Sequence, residues 1–426
     1  MANVWRSKYG SIGFGYESTF GVVASSFQYL PAEVDLPDLG RNEADVAQYV
    51  AQFGGNAAPV INSKDSGSTL TLRIPLEGFK PGHNPATENP GDAGVLGSAP
   101  VLVAMALGSN ASAASNHANL IAGAHLESSA YDATDVASAI SSAITTSAGS
   151  YTPGALVVAG LTSSDFQVGW ISTIAGAVLT LFKSAANTAA GSDNTYGTGT
   201  AWLSDAEQIP ISLRFSGEHA AYSIDFLGCM CSAGSISLSA GAVPMLELTY
   251  TFTGHSYNGA SGTLQTPAKF NRIPFLGGSN EGRLLIDTTS THVHDLQLNW
   301  EIPLHKVDSH SGPEGTSTRL VTDRLVSVTF AQRWKPSGAE DTIASGSHLW
   351  ETRYEAGTAV DLQLECGDTL GRIFSMRCPD WIVSTQPKLE EVDGVLYHRI
   401  TMHPSTFTDD TGSTAPADSL LSLGWG

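Results

Sequence analysis

Apolar and polar residues alternate over short stretches along most of the chain, which is the pattern of β strands with one buried face. The clearest case is Thr69 to Leu76, where Leu70, Leu72 and Ile74 fall on one side and polar residues fall on the other. Similar runs, separated by Gly, Pro and Ser turns, recur at 27–36 (broken by Pro31), 209–215, 221–227, 235–238, 246–253, 294–302, 325–333, 359–365, 372–377, 381–385 and 395–402. The pattern predicts a mainly β (α+β) protein built from antiparallel sheets.

Three segments favour helices instead of strands. Pro100 to Leu107 is apolar, opens with proline and is followed by Gly108, which is typical of a short buried helix. A second helix is predicted near Ser347 to Glu355. A third is predicted over Asp135 to Ile144, where apolar residues recur four positions apart and would form one stripe.

The order of predicted elements occurs twice, which indicates a duplicated unit. The first copy also contains a long insertion between Gly108 and Leu213, where the segments GALVVAG, DFQVGWIST and AVLTLFK predict three short strands of a small barrel or sheet. The residue matches between the copies are Leu213-Arg214-Phe215 with Leu362-Gln363-Leu364, Cys231 with Cys378, Met245-Leu246-Glu247 with Lys388-Leu389-Glu390, Tyr250 with Tyr397, and Ser66 to Gly82 with Thr322 to Gly338.

The repeat and the insertion predict two tandem antiparallel β-sandwich or barrel-type domains, each with one short helix, and an inserted small β-rich domain. The N-terminal stretch is rich in Gly and Ser, and we interpret it as an arm and not as a core segment. The C-terminal stretch is acidic and rich in Ser and Thr, which favours a mobile tail. The predicted boundaries are 1–26 (arm), 27–108 with 205–256 (first domain), 109–204 (insertion), 257–282 (linker), 283–408 (second domain) and 409–426 (tail).

Charge argues against a protein that grips nucleic acid. The net charge is −20, from 41 acidic and 21 basic residues, whereas phosphate binding needs clustered Lys and Arg. Only 15% of the residues are charged, against about 25% in a typical soluble domain. This composition is typical of a chain that hides much of its surface in an assembly, and a low-charge secreted β protein would look similar.

No segment of the sequence carries a recognisable catalytic or cofactor-binding motif. The four cysteines do not have the spacing of a zinc site, and we expect buried, reduced thiols. The histidines at 292, 294, 305 and 310 fit a polar strand end as well as a metal pair. We therefore expect no enzyme, no metal and no cofactor. The first residues, MANVWRSKYG, lack the apolar core of a signal peptide, and no stretch is long enough to span a membrane, so we expect synthesis in a cytoplasm.

The chain resembles the tail tube proteins, or major tail proteins, of long-tailed bacteriophages. The resemblance is carried by YESTFG (Tyr16 to Gly21), GSTLTLRIPLEG, the helix APVLVAMALG (Ala99 to Gly108), GCMCSAGSISLSAGAVPMLELTYTFTG (Gly228 to Gly254) and LVTDRLVSVTF (Leu320 to Phe330). These segments cover most of the chain outside the insertion. The duplication and the insertion are departures from the family pattern of six single-unit subunits in a ring.

The resemblance implies a structural virion protein whose rings stack into the tube through which viral DNA passes without specific binding. Two ring units in one chain would make a homotrimeric, pseudo-hexameric ring with the insertion on its outside. The tail tip or baseplate, tape measure and terminator proteins would be its partners in the virion tail, assembled in the host bacterial cytoplasm. The acids expected to line the lumen are Asp35, Glu77, Glu247 and Glu390. The residues expected between rings, from the loops 37–66 and 304–323, are Asp38, Arg41, Glu43, Asp45, Lys306, Asp308 and Glu314.

Two alternatives stay open from the sequence. One is another virion part, such as a tail terminator, a baseplate hub or a capsid decoration protein. The other is a carbohydrate-binding β protein, for which the eight tryptophans could supply stacking platforms.

Overall fold

The structure is a computed structural model of the full chain. It describes residues 11–25, 27–30, 32–35, 68–76, 98–107, 127–129, 132–140, 143–146, 151, 153–162, 165–182, 193–196, 198–203, 207–216, 223–239, 242–258, 282–286, 289–291, 293–308, 316–333, 349–367, 373–405 and 419–425.

The described elements are mainly strands, which confirms the predicted mainly β class. The first unit contains β1 (Ser11–Tyr16), β2 (Gln28–Leu30), β3 (Glu33–Asp35), β4 (Thr69–Pro75), helix α1 (Ser98–Leu107), β13 (Ile211–Ser216), β14 (Ser223–Ser239), β15 (Met245–Thr251) and β16 (Gly254–Asn258). The inserted region contains β5 (Glu127–Ser129), β6 (Asp132–Ile140), β7 (Ala143–Thr146), β8 (Leu156–Thr162), β9 (Asp165–Ala175), β10 (Val178–Phe182), β11 (Asp193–Tyr196) and β12 (Thr198–Trp202).

The second unit follows the same order of elements. It contains β17 (Gly282–Ile286), β18 (Thr289–Thr291), β19 (Val293–Glu301), β20 (Leu304–Asp308), β21 (Thr316–Val321), β22 (Leu325–Arg333), helix α2 (Leu349–Ala356), β23 (Val360–Cys366), β24 (Phe374–Val383), β25 (Lys388–Val392), β26 (Val395–Pro404) and β27 (Ser422–Trp425). Both helices agree with the sequence prediction, and α1 carries its proline in the first turn as expected.

The strand pairings of the first unit recur in the second. One layer of the first unit has the order β2-β1-β13-β14-β16, and the second unit has β18-β17-β23-β24-β27. The other layer has the order β3-β4-β15-β14, and the second unit has β19-β22-β26 bordered by β24 and β25. The long β14 crosses from one layer to the other. In the second unit, β24 corresponds to the part of β14 in the first layer, and β25 corresponds to the part in the other layer.

Matching irregularities show that the two units repeat residue by residue. A bulge interrupts the β13–β14 register between Ile211 and Leu213, and the β23–β24 register shifts between Val360 and Leu362. Next to these bulges, Gly228 (φ 62°) and Asp380 (φ 56°) both adopt the left-handed conformation. A threonine pair also recurs: Thr71 faces Thr249 with the two Oγ1 atoms 3.2 Å apart, and Thr329 faces Thr401 at 3.1 Å.

The two units join through strand pairing between β14 and β19. Residues 233–239 of β14 pair with 295–301 of β19, which extends one antiparallel sheet across both units. We call this sheet the joint sheet, in the order β3-β4-β15-β14-β19-β22-β26-β25. Its apolar face packs on the second layer of each unit, and one continuous core contains residues from both, such as Leu72, Leu248, Leu298 and Ile400.

The inserted region ends in a small barrel and a stem. Strands β10-β7-β6-β11-β8-β9 pair in a closed barrel, as the sequence allowed. Strands β5 and β12 pair with each other as the stem, and β12 also pairs with β27 of the second unit. The helix predicted over Asp135 to Ile144 is wrong, because residues 135–140 belong to β6 and residues 143–144 belong to β7. A spacing of four residues is also a multiple of two, so apolar residues four apart can share one side of a strand.

The described parts of both terminal segments form strands, which the sequence did not indicate. Residues 11–16, which were assigned to an arm, form β1 between β2 and β13, with Ile12 and Phe14 in the core. Gly13 suggested a loop, but it lies within β1 in close contact with a neighbour, because an added Cβ would lie 3.1 Å from the ring of Tyr29. At the other end, residues 422–425 form β27, and Leu423 and Trp425 are fully buried, so the predicted mobile tail is wrong there.

The repeat was assigned correctly in one strand and shifted in others. Leu213 and Leu362 do occupy equivalent positions after the matching bulges. Cys378, however, pairs with Leu362 as Phe226 pairs with Leu213, so Cys378 is equivalent to Phe226 and not to Cys231. Glu247 is likewise equivalent to Arg399 and not to Glu390, and Tyr250 is not equivalent to Tyr397, because the Thr249–Thr401 match sets the register.

Candidate functional site: a polar sheet face and two open edges

The joint sheet has one face that points away from the core, which we call the polar face. Strand alternation places buried apolar residues on one side of each strand and hydroxyl, amide or charged residues on the other. In β4, for example, Leu70 and Leu72 are fully buried while Thr71 is half-buried. The described polar face includes Glu33, Thr71, Arg73, Ser235, Ser237, Glu247, Thr249, Asp295, Gln297, Asn299, Glu301, Ser327, Thr329, Arg333, Lys388, Glu390, Arg399 and Thr401.

Carboxylates on this face are largely paired with arginines. In the first unit, the Arg73 Nε–H donates to Glu247 Oε2 at 2.8 Å across β4 and β15, and both side chains are nearly half exposed. In the second unit, Arg399 Nε–H donates to both oxygens of Glu390 at 2.9 Å, and its Nη2 donates to Asp295 Oδ2 at 3.1 Å. The hydrogen bonds from Arg399 lower the pKa of Glu390, so this carboxylate stays ionised in mildly acidic solution.

The structure places two of the four acids expected in a lumen on this polar face, namely Glu247 and Glu390. Asp35 lies opposite Thr71 in the β3–β4 register. Glu77 lies outside the described residues. Most of the acids on the polar face pair with arginine, and Lys388 and Arg333 add positive charge to the same face. The described part of the face is therefore polar, without a large excess of either charge.

The joint sheet ends in two strands that differ from its interior strands. Within the described residues, β3 pairs only with β4, and β25 pairs only with β26. At the interior junction, Ile236 of β14 is fully buried because β19 covers that side. Its equivalent in β25 is Leu389, since Ile236 pairs with Leu246 as Leu389 pairs with His398. Leu389 is 55% exposed.

Leu389 thus differs from its equivalent Ile236, because no strand among the described residues covers it as β19 covers Ile236. Sequence reasoning missed this residue because Leu389 was aligned with Leu246, which lies in a strand covered on both sides. The alternation of Lys388, Leu389 and Glu390 shows that Leu389 lies on the apolar side of its strand. Whether that side is buried depends on which strand lies beside it. Within the described residues, β3 and β25 are therefore the two edges of the joint sheet, and an open edge is a place where a further strand can pair.

The interior junction shows how closely two units can approach. Gly234 of β14 lies opposite Trp300 of β19, and an added Cβ on Gly234 would overlap the indole ring. Glycine is required here because the large, fully buried ring lies directly against the β14 backbone.

The hairpin of β20 and β21 carries part of the predicted inter-ring set. Lys306 and Asp308 form an ion pair with Nζ and Oδ1 3.1 Å apart, and the Asp308 side chain is 83% exposed. The base of the hairpin contacts the first unit, because Arg319 Nη2 donates to the Phe252 carbonyl at 3.3 Å. Asp38, Arg41, Glu43, Asp45 and Glu314 lie outside the described residues.

A buried carboxylate joins β1 to the bulge of β14. Glu17 is 1% exposed, and its Oε1 accepts hydrogen bonds from Ser212 Oγ at 2.7 Å and from the Gly228 amide at 2.9 Å. Its Oε2 accepts a bond from the Gly21 amide at 2.7 Å. Burial raises the pKa of Glu17 despite these three donors. The bonds fix the first strand against the rest of its layer.

The cysteines and the metal-ligating residue types of the described ranges do not form a metal site. All four cysteines are free and buried, as expected, and burial raises the pKa of Cys231 to about 12, which keeps it a thiol. Within the described ranges, no group of three or more His, Cys, Asp or Glu residues could hold a metal ion. Neither of the two described helices could span a bilayer.

The fold defines a class: a β-rich protein with two internally repeated units and, among the described residues, two open edges of the joint sheet. Comparison with known proteins places the chain more narrowly. The profile of the family described as phage tail tube protein matches residues 10–419, nearly the whole chain. The chain therefore belongs to the phage tail tube protein family, a family of structural components of phage tails, as its sequence resemblance predicted. Among curated proteins, none matches the chain.

Proposed function

We propose that the chain polymerises into three-chain rings that stack into the wall of a tail tube, with viral DNA passing through the bore. The observation that carries this proposal is the β14–β19 junction, where two like units already share one sheet. The same kind of contact between chains would join β25 of one chain to β3 of the next. Three chains would then supply six units and leave no open edge in the sheet, which removes the aggregation risk of free edges.

The strand register at the junction and the exposure of Leu389 support this arrangement. The pairing at the junction sets the expected register between chains: Leu238 faces Leu296, and their equivalents are Glu391 in β25 and Val34 in β3. The exposed Leu389 would be covered in this contact as Ile236 is covered by β19. An interface that repeats head to tail in this way closes into a ring when the rotation allows it.

The polar face is proposed as the wall of the bore. Arg73 and Arg399 on this face are paired with carboxylates, and its middle strands carry Ser, Thr, Gln and Asn, so DNA would meet a hydrated surface without a cluster of free cations. Glu247 and Glu390 would line the bore, with Asp35 beside the joint between chains. The barrel packs on the opposite layer, on the side of β24 that points away from the core, and would therefore lie on the outside of the tube.

The remaining assignments belong to the same proposal. The two units correspond to two tube domains with the boundaries predicted above, except that β1 and β27 join their units. The hairpin with Lys306 and Asp308, together with the loop 37–66, would contact the next ring. The tail tip or baseplate, tape measure and terminator proteins would be partners, and the chain would be made in the host cytoplasm before it enters the virion.

The carbohydrate-binding alternative loses its main support in the described residues. Trp170, Trp202, Trp300, Trp350, Trp381 and Trp425 are all buried, and the two others, at positions 5 and 334, lie outside the described ranges. Buried indoles cannot stack on a sugar.

Electron microscopy of the concentrated protein and of the particles that contain it would test the proposal, using end-on averages. We expect rings with three chains and six similar lobes, repeated along the tail. Rings of six whole chains, or a chain confined to one end of the particle, would contradict it.

A further inference from the structure

The second unit contains a strand contact that has no counterpart among the described residues of the first. Strand β27 pairs with β24 on one side, as β16 pairs with β14, but its other side pairs with β12 of the inserted region. The four paired positions run from Gly199 opposite Trp425 to Trp202 opposite Ser422. The insertion that leaves the first unit thus returns as part of a sheet of the second unit.

The barrel of the inserted region also rests on the second unit through side chains. The buried Trp170 of β9 donates its Nε1–H to Ser375 Oγ of β24 at 2.9 Å, and Ser375 in turn donates to the Leu364 carbonyl at 2.8 Å. The Arg377 guanidinium lies 3.5 Å from the centre of the Phe182 ring, a cation–π contact. These residues come from strands far apart in sequence.

Close packing at the C-terminal strand β27 adds to this contact between the barrel and the second unit. An added Cβ on Gly424 would lie 2.8 Å from Leu156 Cδ2 and 3.0 Å from Trp170 Cη2. Leu156 and Trp170 share a buried cluster with Ile373 of the second unit. The barrel, the stem and the C-terminal strand therefore form one packed body.

In the first unit, the strand equivalent to β27 is β16, and it differs from β27 in its exposure. Tyr257 of β16 is 68% exposed, whereas its equivalent in β27, Leu423, is fully buried. Among the described residues, β16 pairs only with β14. The contact with β12 is thus an addition to the repeated fold and is specific to the second unit.

We propose that the inserted region is an intrachain brace that fastens the second unit to the first, with the C-terminal strand β27 as its closing element. The inserted region then adds a second connection between the units, besides the β14–β19 pairing, and is not a separate outer ornament. This inference does not depend on the tube assignment, because it concerns coupling within one chain.

The test is hydrogen–deuterium exchange of the whole chain, comparing wild type with Trp170→Phe. This change removes the bond to Ser375 and keeps most of the ring, so we expect about fivefold faster exchange in both the barrel and residues 374–377 and 422–425. Trp350→Phe is the matched control, because it removes a comparable buried indole hydrogen bond, to Gln332 Oε1, at a place outside the barrel and β27, so exchange in the barrel should stay unchanged. Faster exchange confined to β8 to β10 would overturn the proposal and leave the barrel as an independent domain.

A reciprocal variant tests the same coupling from the other side. Gly424→Val inserts atoms where Leu156 and Trp170 lie, so we expect faster exchange in the barrel although the change is in the last strand. Unchanged exchange at 156–170 would contradict the brace. Calorimetry of the wild-type chain supplies a measurement that needs no variant: one cooperative transition supports the brace, and a barrel that melts separately overturns it.

Discussion

Ile236 and Leu389 occupy the same position in two copies of one fold, yet Ile236 is fully buried and Leu389 is 55% exposed. The difference does not come from their own strands, which pair in the same register with β15 and β26. It comes from the next strand along the sheet, because β19 covers Ile236 and no described strand covers Leu389. In the proposed ring, the two junctions would be the same contact, formed within the chain by β14 and β19 and formed between chains by β25 and β3.

The largest expected effect comes from truncating these two residues in turn. Ile236→Ala should lower the free energy of unfolding of the isolated chain by about 2–5 kcal/mol, because it leaves a cavity in the core. Leu389→Ala should change it by less than about 0.5 kcal/mol but weaken ring formation. Denaturant unfolding and end-on particle counts measure the two effects. Equal losses of stability for both variants would show that the comparison is wrong.

Overpacking the β14–β19 junction should have the next largest effect on stability. Gly234→Val would drive Trp300 from its place against β14 and should cost about 3 kcal/mol, near the top of the usual range for overpacking. Thermal unfolding measures the loss. Ser237→Ala, on the polar face of the same strand, is the control and should be nearly neutral. A stable Gly234→Val chain would mean that the two units are not packed as closely as described.

The matching bulges give a smaller, pH-dependent contrast. The Gly228 amide donates to buried Glu17, whereas the Asp380 amide donates to the more exposed Asp361 at 3.1 Å. Glu17→Gln turns an amide donor toward the Gly21 N–H and should cost about 2 kcal/mol, while Asp361→Asn should cost less.

The raised pKa of Glu17 fixes the sign of the pH effect. The native state binds the proton more tightly than the unfolded chain, so wild-type stability should fall as pH rises from the ordinary glutamate pKa through the raised value. Glu17→Gln should lack this fall. Urea unfolding at a series of pH values measures it, and parallel curves for the two proteins would argue against a titrating Glu17.

The smallest effect is expected on the polar face. The Arg73–Glu247 pair is nearly half exposed, so a double-mutant cycle with Arg73→Gln and Glu247→Gln should give a coupling energy of about 0.2–1 kcal/mol. The coupling should shrink in high salt, because exposed ion pairs are screened. A coupling of several kcal/mol would mean that this face is shielded from water even in the isolated chain.

Local patterns predicted much of the fold. The alternation at Leu70, Leu72 and Ile74 and the proline and glycine around α1 are signals that lie within a few residues, and they were interpreted correctly. The order of elements revealed the repeat for the same reason. Loops of unequal length and the extra residues between β24 and β25 then shifted the match, so Cys231 and Tyr250 received the wrong equivalents.

Features that depend on distant partners could not be predicted from the sequence. The alternation of Leu421, Leu423 and Trp425 is as clear as that of β4, but it follows an acidic Ser/Thr-rich stretch and its partners are β12 and β24. Leu389 is similar, because its exposure depends on which strand lies beside β25. The acids were recognised as a group, but their pairing with Arg73 and Arg399 depends on cross-strand register.

The most direct test of the proposed ring is a disulfide bond between β3 of one chain and β25 of the next. Val34→Cys and Glu391→Cys in one chain place thiols at residues that should face each other between chains, within the roughly 4.5–5.5 Å Cα separation that a disulfide can bridge. The four native cysteines are buried and should not interfere. Val34→Cys with Glu390→Cys is the control, because a shift of one residue moves the thiol to the other face of the strand.

After mild oxidation of assembled tubes, non-reducing electrophoresis should show a closed covalent product of three chains, reversed by reductant and missing in the control. A ladder that ends at six chains would contradict the three-chain ring. Equal products from both cysteine pairs, or a monomer band alone, would contradict the pairing of β25 with β3.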